Sequence, residues 1–198
     1  MNVFDYLVIT SLVIFYILFI GRTVLLYKNG IKVWVVGTST KRLFEIILEN
    51  LLFPVLILWS AFVIITALGI NLPQIVSVYL INVFWLKYVG LLFCYGGLII
   101  FLSALISFGK AWRIGIDPQN SNELITGGIF KYTRNPVFLF MDIYFTGITL
   151  IYPNIVFIVV TFCMLIGIHL QIIREEQFLI NKFGEKYLEY KKQTRRYI

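Results

Sequence analysis

Residues 137–173 read VFLFMDIYFTGITLIYPNIVFIVVTFCMLIGIHLQII. Two apolar runs, 137–152 and 155–173, are parted only by Pro153 and Asn154, and Asp142 is the one acid in either. About 20 apolar residues in helix cross a hydrocarbon core about 30 Å thick. Both runs approach that length, and the two-residue break leaves room only for a reversal. The stretch therefore predicts a tight helical hairpin in a membrane.

Three more apolar runs lie upstream, at 3–26, 51–68 and 85–108. The first carries only Asp5 near its start and Arg22 near its end. It lacks the basic leader and small-residue cleavage site of a signal peptide, so it is expected to be a retained span. Glu45 and Glu49, four apart on one helix face, precede the second run, and Gly69, Asn71 and Pro73 close it. Residues 74–84 read as a turn or short interfacial stretch. Lys87 lies close enough to the end of the third span to snorkel. The fold class is thus all-α: a polytopic membrane protein of about five transmembrane helices with a C-terminal amphipathic helix. Residues 1–198 form a single membrane domain, with no internal repeat or linker.

Composition agrees. The chain is 60% hydrophobic and 14% charged, against about 25% charged in soluble domains, which excludes a water-soluble globule and a disordered chain. Seventeen basic and ten acidic residues leave a net charge of +7. Five Lys and Arg fall in 22–42, four in 109–136 and seven in 174–198, with Lys87 alone on the other side. Five spans put those three segments on one face, and the positive-inside rule makes it cytoplasmic. The expected orientation is N-terminus out and C-terminus in. The basic excess is therefore a topology signal rather than a sign of nucleic-acid binding. Cys94 and Cys163 sit in apolar runs as core or lipid-facing residues, and Gly96-Gly97 suits close helix approach.

Polar residues gather twice on that face. The first cluster, 107–136, combines Gly115, Gly127 and Gly128 with Arg113, Lys131, Arg134 and Pro136. A proline at a first helical turn gives up an N–H that has no helical partner there, and the helix N-terminus so formed, beside Arg134 and Asn135, favours a carboxylate or other anion. The second cluster runs from His169 to Gln177. Glu175 and Glu176 point to different faces of a helix, so they do not form a shared-proton dyad, but carboxylates at the bilayer boundary suit a cation such as an α-amino group. His169, the only histidine, reads as a hydrogen-bonded bundle residue or as a base. Asp142 lies about 9 Å along the helix from Pro136. An intramembrane acid is a functional candidate, and pairing with Arg134 or Lys131 is its structural alternative. Metal-ligand spacing, a P-loop, G-x-G-x-x-G and G-x-S-x-G are all missing. The tail FLINKFGEKYLEYKKQTRRYI reads as a basic amphipathic helix suited to an anionic leaflet.

The order W-R-I-G-I-D, L-I-T-G-G-I-F-K-Y-T-R-N-P, a helical hairpin, R-E-E-Q-F-L and F-G-E-K-Y-L-E-Y-K-K resembles the isoprenylcysteine carboxyl methyltransferase family, whose relatives include the phospholipid N-methyltransferases. The resemblance covers 103–198; residues 1–102 carry no signature. It implies methyl transfer from S-adenosylmethionine in a membrane-embedded pocket open to the cytosol. On the cofactor side it implies Asn122, Glu123, Leu124 and Ile125, then Phe130, then Asn135, Pro136, Val137 and Phe138 from the R-H-P-x-Y motif, and Glu175. On the substrate and catalytic side it implies Arg134, Gln171, Arg174 and Glu176. Asn135 replaces the family's His, Phe138 its Tyr, and Gln171 a substrate-contacting Arg, for which Arg174 stands one turn further on.

A carboxylate acceptor needs no base, only a cation to orient it and exclusion of water; Arg134 or Arg174 is expected to hold it. An amine acceptor needs a proton acceptor, Glu176 or His169. The expected function is therefore methyl transfer to a lipophilic acceptor, a carboxylate as in isoprenylcysteine O-methylation. The alternatives are a phospholipid or amine N-methyltransferase, an NADPH-dependent membrane reductase and a non-enzymatic scaffold. The expected partners are a small lipophilic, prenylated or lipid substrate and membrane lipids, with no nucleic acid, no metal and a monomeric chain. The expected location is the cell membrane or, in a eukaryote, the endoplasmic reticulum, with the site facing the cytoplasm.

Overall fold

Long apolar runs satisfy their backbone hydrogen bonds within a helix, the arrangement a bilayer demands. The computed structural model describes residues 1–31, 33, 43–113 and 123–197, with 43–53 as backbone only. Gly115, Asn122, Lys32, Lys41 and Arg42 lie outside the described residues, and the Glu45–Glu49 face lies in the backbone-only part. The described chain forms α1 (Val3–Lys28), α2 (Leu43–Ala67), α3 (Gln74–Ser77), α4 (Trp85–Phe108), α5 (Pro136–Ile151), α6 (Ile155–Phe183) and α7 (Glu185–Gln193), with single 3-10 turns at Gly109–Ala111 and Gly128–Lys131. No strand occurs among the described residues; Tyr79 and Asn154 form one isolated antiparallel bridge.

Three helical stretches, Val3–Lys28, Trp85–Ala111 and Ile155–Phe183, are long and apolar enough to cross a membrane, and Pro54–Ala67 and Pro136–Ile151 are shorter apolar helices. The protein is an all-helical membrane protein. The sixteen residues of α5 rise about 24 Å at 1.5 Å per residue, short of a full hydrocarbon core, so the hairpin joins a short helix to a long one. Asn154 caps α6 by accepting from the Phe157 amide at 3.0 Å, as an N-cap side chain should.

α5 packs most extensively against α4, at glycines. A methyl group on Gly90 would lie 2.6 Å from the Gly147 carbonyl oxygen, and one on Gly147 would lie 2.7 Å from the Gly90 carbonyl oxygen. The closest approach is therefore at Gly90 and Gly147; a Cβ on Gly97 would lie 3.3 Å from the Phe140 ring and 3.5 Å from its carbonyl oxygen, so Gly97 also serves the α4–α5 contact, while one on Gly96 would meet nothing within 4 Å. Phe15, Phe101, Phe140 and Tyr144 stack across α1, α4 and α5, and Ser11 and Tyr144 share a buried hydrogen bond at 2.9 Å. Arg22 on α1 donates to the Gly109 carbonyl at 2.5 Å, joining the ends of α1 and α4. Lys87 sits at the opposite end of α4, over the rings of Phe4 and Tyr79.

The tail departs from a single amphipathic helix. α6 continues unbroken to Phe183, Gly184 takes a positive φ of 53°, and α7 turns back. Glycine reaches that backbone region without the penalty a Cβ brings. Tyr187 and Tyr190 on α7 are buried against Phe130 with Phe108, Leu124, Ile125, Leu179, Ile180 and Phe183 around them. One face of the tail helix is thus packed against the turn that precedes α5.

Candidate functional site

The stretch before α5 is built to turn sharply. Gly128 has φ 61°, and a Cβ there would fall 2.2 Å from the Ser107 hydroxyl oxygen; that hydroxyl accepts from the Ile129 amide at 3.2 Å. The turn is thereby pinned to the end of α4. Phe130 then buries its ring against Phe108, centroids 4.9 Å apart, while its carbonyl accepts from Tyr190 at 2.6 Å. Pro136 opens α5 as its first residue.

Three residues remote in sequence meet above that opening. Glu176, 3% exposed, accepts from Arg134 at 2.6 Å and from Arg196 at 2.8 and 3.2 Å, with the Lys191 ammonium at 3.6 Å. Arg134 also donates to the Lys191 carbonyl at 3.2 Å and to the Thr194 carbonyl, and its backbone amide bonds the Arg195 carbonyl at 3.0 Å. Thr133 and Asn135 both donate to the Arg196 carbonyl, at 3.2 and 3.1 Å. Residues 194–196 thus run as a strap across the R-N-P turn.

The charges follow. Glu176 lies past the apolar part of α6, which ends at Ile173. Burial raises its pKa, but the hydrogen bonds from Arg196 and Arg134, with their charges, outweigh that and pull it down to about 2. Glu176 is therefore ionised at neutral pH, and Arg196 is raised in turn by its hydrogen bond to Glu176. Burial pushes the phenols of Tyr187 and Tyr190 up to about 12, so both stay neutral, and Tyr190 donates to the Phe130 carbonyl.

The residues singled out from sequence fall into three places. Arg134, Asn135 and Glu176 belong to the strap contacts, with the Arg134 side chain only 6% exposed. Leu124, Ile125 and Phe130 belong to the aromatic cluster around α7, with Glu123 exposed at its edge. Pro136 is buried, and Val137, Phe138, Gln171, Arg174 and Glu175 are half-buried on the facing helices. His169 is exposed on α6 with Nδ1 3.4 Å from the Tyr197 hydroxyl. Asp142 pairs with neither Arg134 nor Lys131: Arg134 is engaged by Glu176, and the Asp142 Oδ1 has no hydrogen-bond partner. Sequence reasoning missed Ser107, Lys191, Thr194, Arg196 and Tyr197. The available signal was the Tyr187–Tyr190 spacing, which gives α7 an apolar face and carries Arg196 back to α5.

S-adenosylmethionine is a cation with an α-amino group, a carboxylate, ribose hydroxyls and an adenine. The residues that the resemblance assigns to it offer carboxylates at Glu123 and Glu175 and apolar side chains at Val137 and Phe138, while Leu124 and Ile125 are packed around Tyr187 and Tyr190. No group of three metal-ligating side chains occurs among the described residues.

Residues 85–186, from α4 to the start of α7, match the model of the phospholipid methyltransferase family. A protein-S-isoprenylcysteine O-methyltransferase of Xenopus laevis is 28% identical over 139 residues, which cover 69% of this chain and 46% of that protein. The chain thus spans less than half the length of this relative. The family match ends before Tyr187, Tyr190 and the strap.

Proposed function

The chain belongs to the phospholipid methyltransferase family, and from that premise we propose that it transfers a methyl group from S-adenosylmethionine to a lipophilic acceptor at the membrane boundary. The observation that carries this reading is the convergence at Glu176. One buried carboxylate ties the turn before α5, the end of α6 and the returning tail into a single frame, and this supports a site built where those segments meet. Glu123 and Glu175 would hold the cofactor's cationic amino-acid end, and Val137 and Phe138 would enclose its apolar part. When bound, the cofactor supplies an electrophilic methyl group. The protein contributes position and dryness: with the acceptor oriented and water excluded, much of the barrier falls to proximity alone. Glu176, Arg134 and Arg196 hold the frame, and the apolar helices let a lipidic acceptor approach sideways while the polar end meets water.

A carboxylate acceptor is what the resemblance implies, and the O-methyltransferase name of the Xenopus relative supports it. That acceptor would need a cation to orient it, Arg134 or Arg174, and the Arg134 guanidinium also holds Glu176 and two tail carbonyls. Calorimetry of detergent-purified protein with S-adenosylmethionine, S-adenosylhomocysteine and NADPH tests the reading. The expected result is binding of both adenosyl compounds, weakened by Glu175→Gln. A folded protein that binds NADPH, or neither adenosyl compound, would overturn it.

A further inference from the structure

The connection between α2 and α4 has the composition of a span without its structure. Residues 70–86 contain no Asp, Glu, Lys or Arg, and more than half of them are apolar. Their only helix is the single turn α3. The apolar side chains nevertheless face outward: Ile75 is 80% exposed, Phe84 64% and Leu80 58%, with Ile70, Val78 and Ile81 exposed beside them. A contiguous apolar surface of this kind marks an interaction face rather than a loop in water.

The segment is held in place on its other side. The Leu80 amide bonds the Pro153 carbonyl at 2.8 Å, Tyr79 and Asn154 form the isolated bridge, and the rings of Tyr79 and Tyr152 lie 6.5 Å apart. It therefore rests on the reversal between α5 and α6. The sixteen residues of α5 fall about 6 Å short of crossing a hydrocarbon core, and the segment occupies the layer at that short end.

The neighbouring rings give the level. Phe4 meets Phe84 at 5.6 Å and Tyr88 at 5.1 Å, and Phe84 meets Tyr88 at 5.5 Å. Lys87 folds over Phe4 and Tyr79. Aromatic groups and a folded lysine collect where acyl chains give way to headgroups. The exposed apolar surfaces of α1 at Val3 and Tyr6, and of α4 at Tyr88 and Leu92, border the segment and are already lipid-facing. The centre of the hydrocarbon is excluded, because irregular backbone facing lipid has no partners for its amides and carbonyls there. The boundary layer suits both the apolar side chains and the unpaired backbone.

We propose that residues 70–85 form an interfacial anchor in the leaflet at the closed end of the hairpin, with Ile75, Leu80 and Phe84 among the upper acyl chains of bilayer lipid. The anchor sets the depth of the short α5. It does not depend on methyl transfer, since it lies almost wholly before the residues that match the family, 85–186.

Ile75→Trp and Leu80→Trp, each in phosphatidylcholine vesicles, test this. Both positions are exposed, so the larger ring needs no repacking, and the emission gained over wild type belongs to the new indole. An interfacial side chain lies about 5–10 Å into the boundary. Phosphatidylcholine brominated near the top of its acyl chains should therefore remove most of that emission. Bromines near the chain ends, and iodide in the water, should each remove much less. The emission that wild type loses in Trp85→Phe should follow the same order and serves as a reporter that leaves the segment itself unaltered. Dominant loss to iodide would place the segment in water, and dominant loss to the deep bromines would place it in the core. Protection from all three quenchers would mean that protein covers it, a second copy of the chain included. Each of those results would overturn the proposal.

Discussion

The two ends of the α5–α6 hairpin are held by different means. At the closed end no ion pair among the described residues holds the hairpin: Asn154 caps α6, Thr149 meets Thr161, and the Leu80 amide bonds the Pro153 carbonyl at 2.8 Å. Tyr152 donates to Asp5 at 2.9 Å, while Asp5 is itself engaged in the α1 cap with Asn2. At the open end Glu176 gathers two guanidiniums and an ammonium, one guanidinium from just before α5 and the other from the end of the chain. The closed end is completed by the helices and the loop that rests on them. The open end stays incomplete until the tail returns. In the proposed methyltransferase, that division would let a strap held by ions loosen without disturbing the apolar frame.

Glu176→Gln attacks the open end and has the largest expected effect. It keeps the side chain's shape and leaves Arg134 buried beside an uncharged group; breaking a buried pair in this way costs about 3–5 kcal/mol. Arg196 is about one-third exposed, which places the loss near the lower figure. Thermal unfolding should shift down, and trypsin should cut faster at Arg195 and Arg196. The amides of α6 near Thr161 should keep their protection. Uniform loosening of both ends would erase the distinction between them. Acid acts on the same group. Its carboxyl lies at about 2 in the folded chain against an ordinary 4.5, so its contribution is complete above about pH 4.5 and is lost as pH falls toward 2. Hydrogen exchange at the Arg134 amide, bonded to the Arg195 carbonyl, should rise over that window.

That contrast also explains what the sequence disclosed. The closed end was legible because Pro153-Asn154 lies between two apolar runs, and local chemistry decides a two-residue reversal. The bounds of α4 and α5 followed from the same hydropathy. The Glu176 lock was not legible as a lock. Its partners stand 42 and 20 residues away, and nothing in local periodicity says that α7 will turn at Gly184 onto the stretch before α5. Gly96-Gly97 was the obvious pair for helix approach, yet Gly90 and Gly147 come closest and only Gly97 of that pair takes part, because close approach depends on the register of α4 against α5. Arg134 was legible as important from its place before Pro136. Its partner could be read only once α6 and the tail were set beside it.

Gly147→Ala probes the frame and should do the reverse of Glu176→Gln. The new methyl group would lie 2.7 Å from the Gly90 carbonyl oxygen, 2.9 Å from Cys94 Sγ and 3.0 Å from Phe93 Cβ. Overpacking of this kind costs about 1–3 kcal/mol, and because a backbone oxygen is among the contacts, α4 and α5 must separate to relieve it. The melting temperature should fall while trypsin cleavage at Arg195 and Arg196 stays at the wild-type rate. Faster cleavage would mean that α4–α5 spacing also sets the strap, and the two ends would no longer be separable.

Asn154→Ala is the gentlest test and the most specific to the closed end. Asn154 is 1% exposed, and its Oδ1 accepts from the Phe157 amide. Removing an N-cap acceptor costs about 1 kcal/mol, whereas Asn154→Ser restores an oxygen that can cap and should recover most of the loss. The backbone bond from Leu80 to Pro153 and the bridge to Tyr79 do not depend on the side chain, so the reversal itself should persist. Hydrogen exchange should quicken in the first turn of α6 and remain unchanged at the Arg134 amide, nearly the whole hairpin away. If the Arg134 amide quickened with it, a single cap would be holding both ends, and the ions around Glu176 would only be reporting on a hairpin already closed by Asn154.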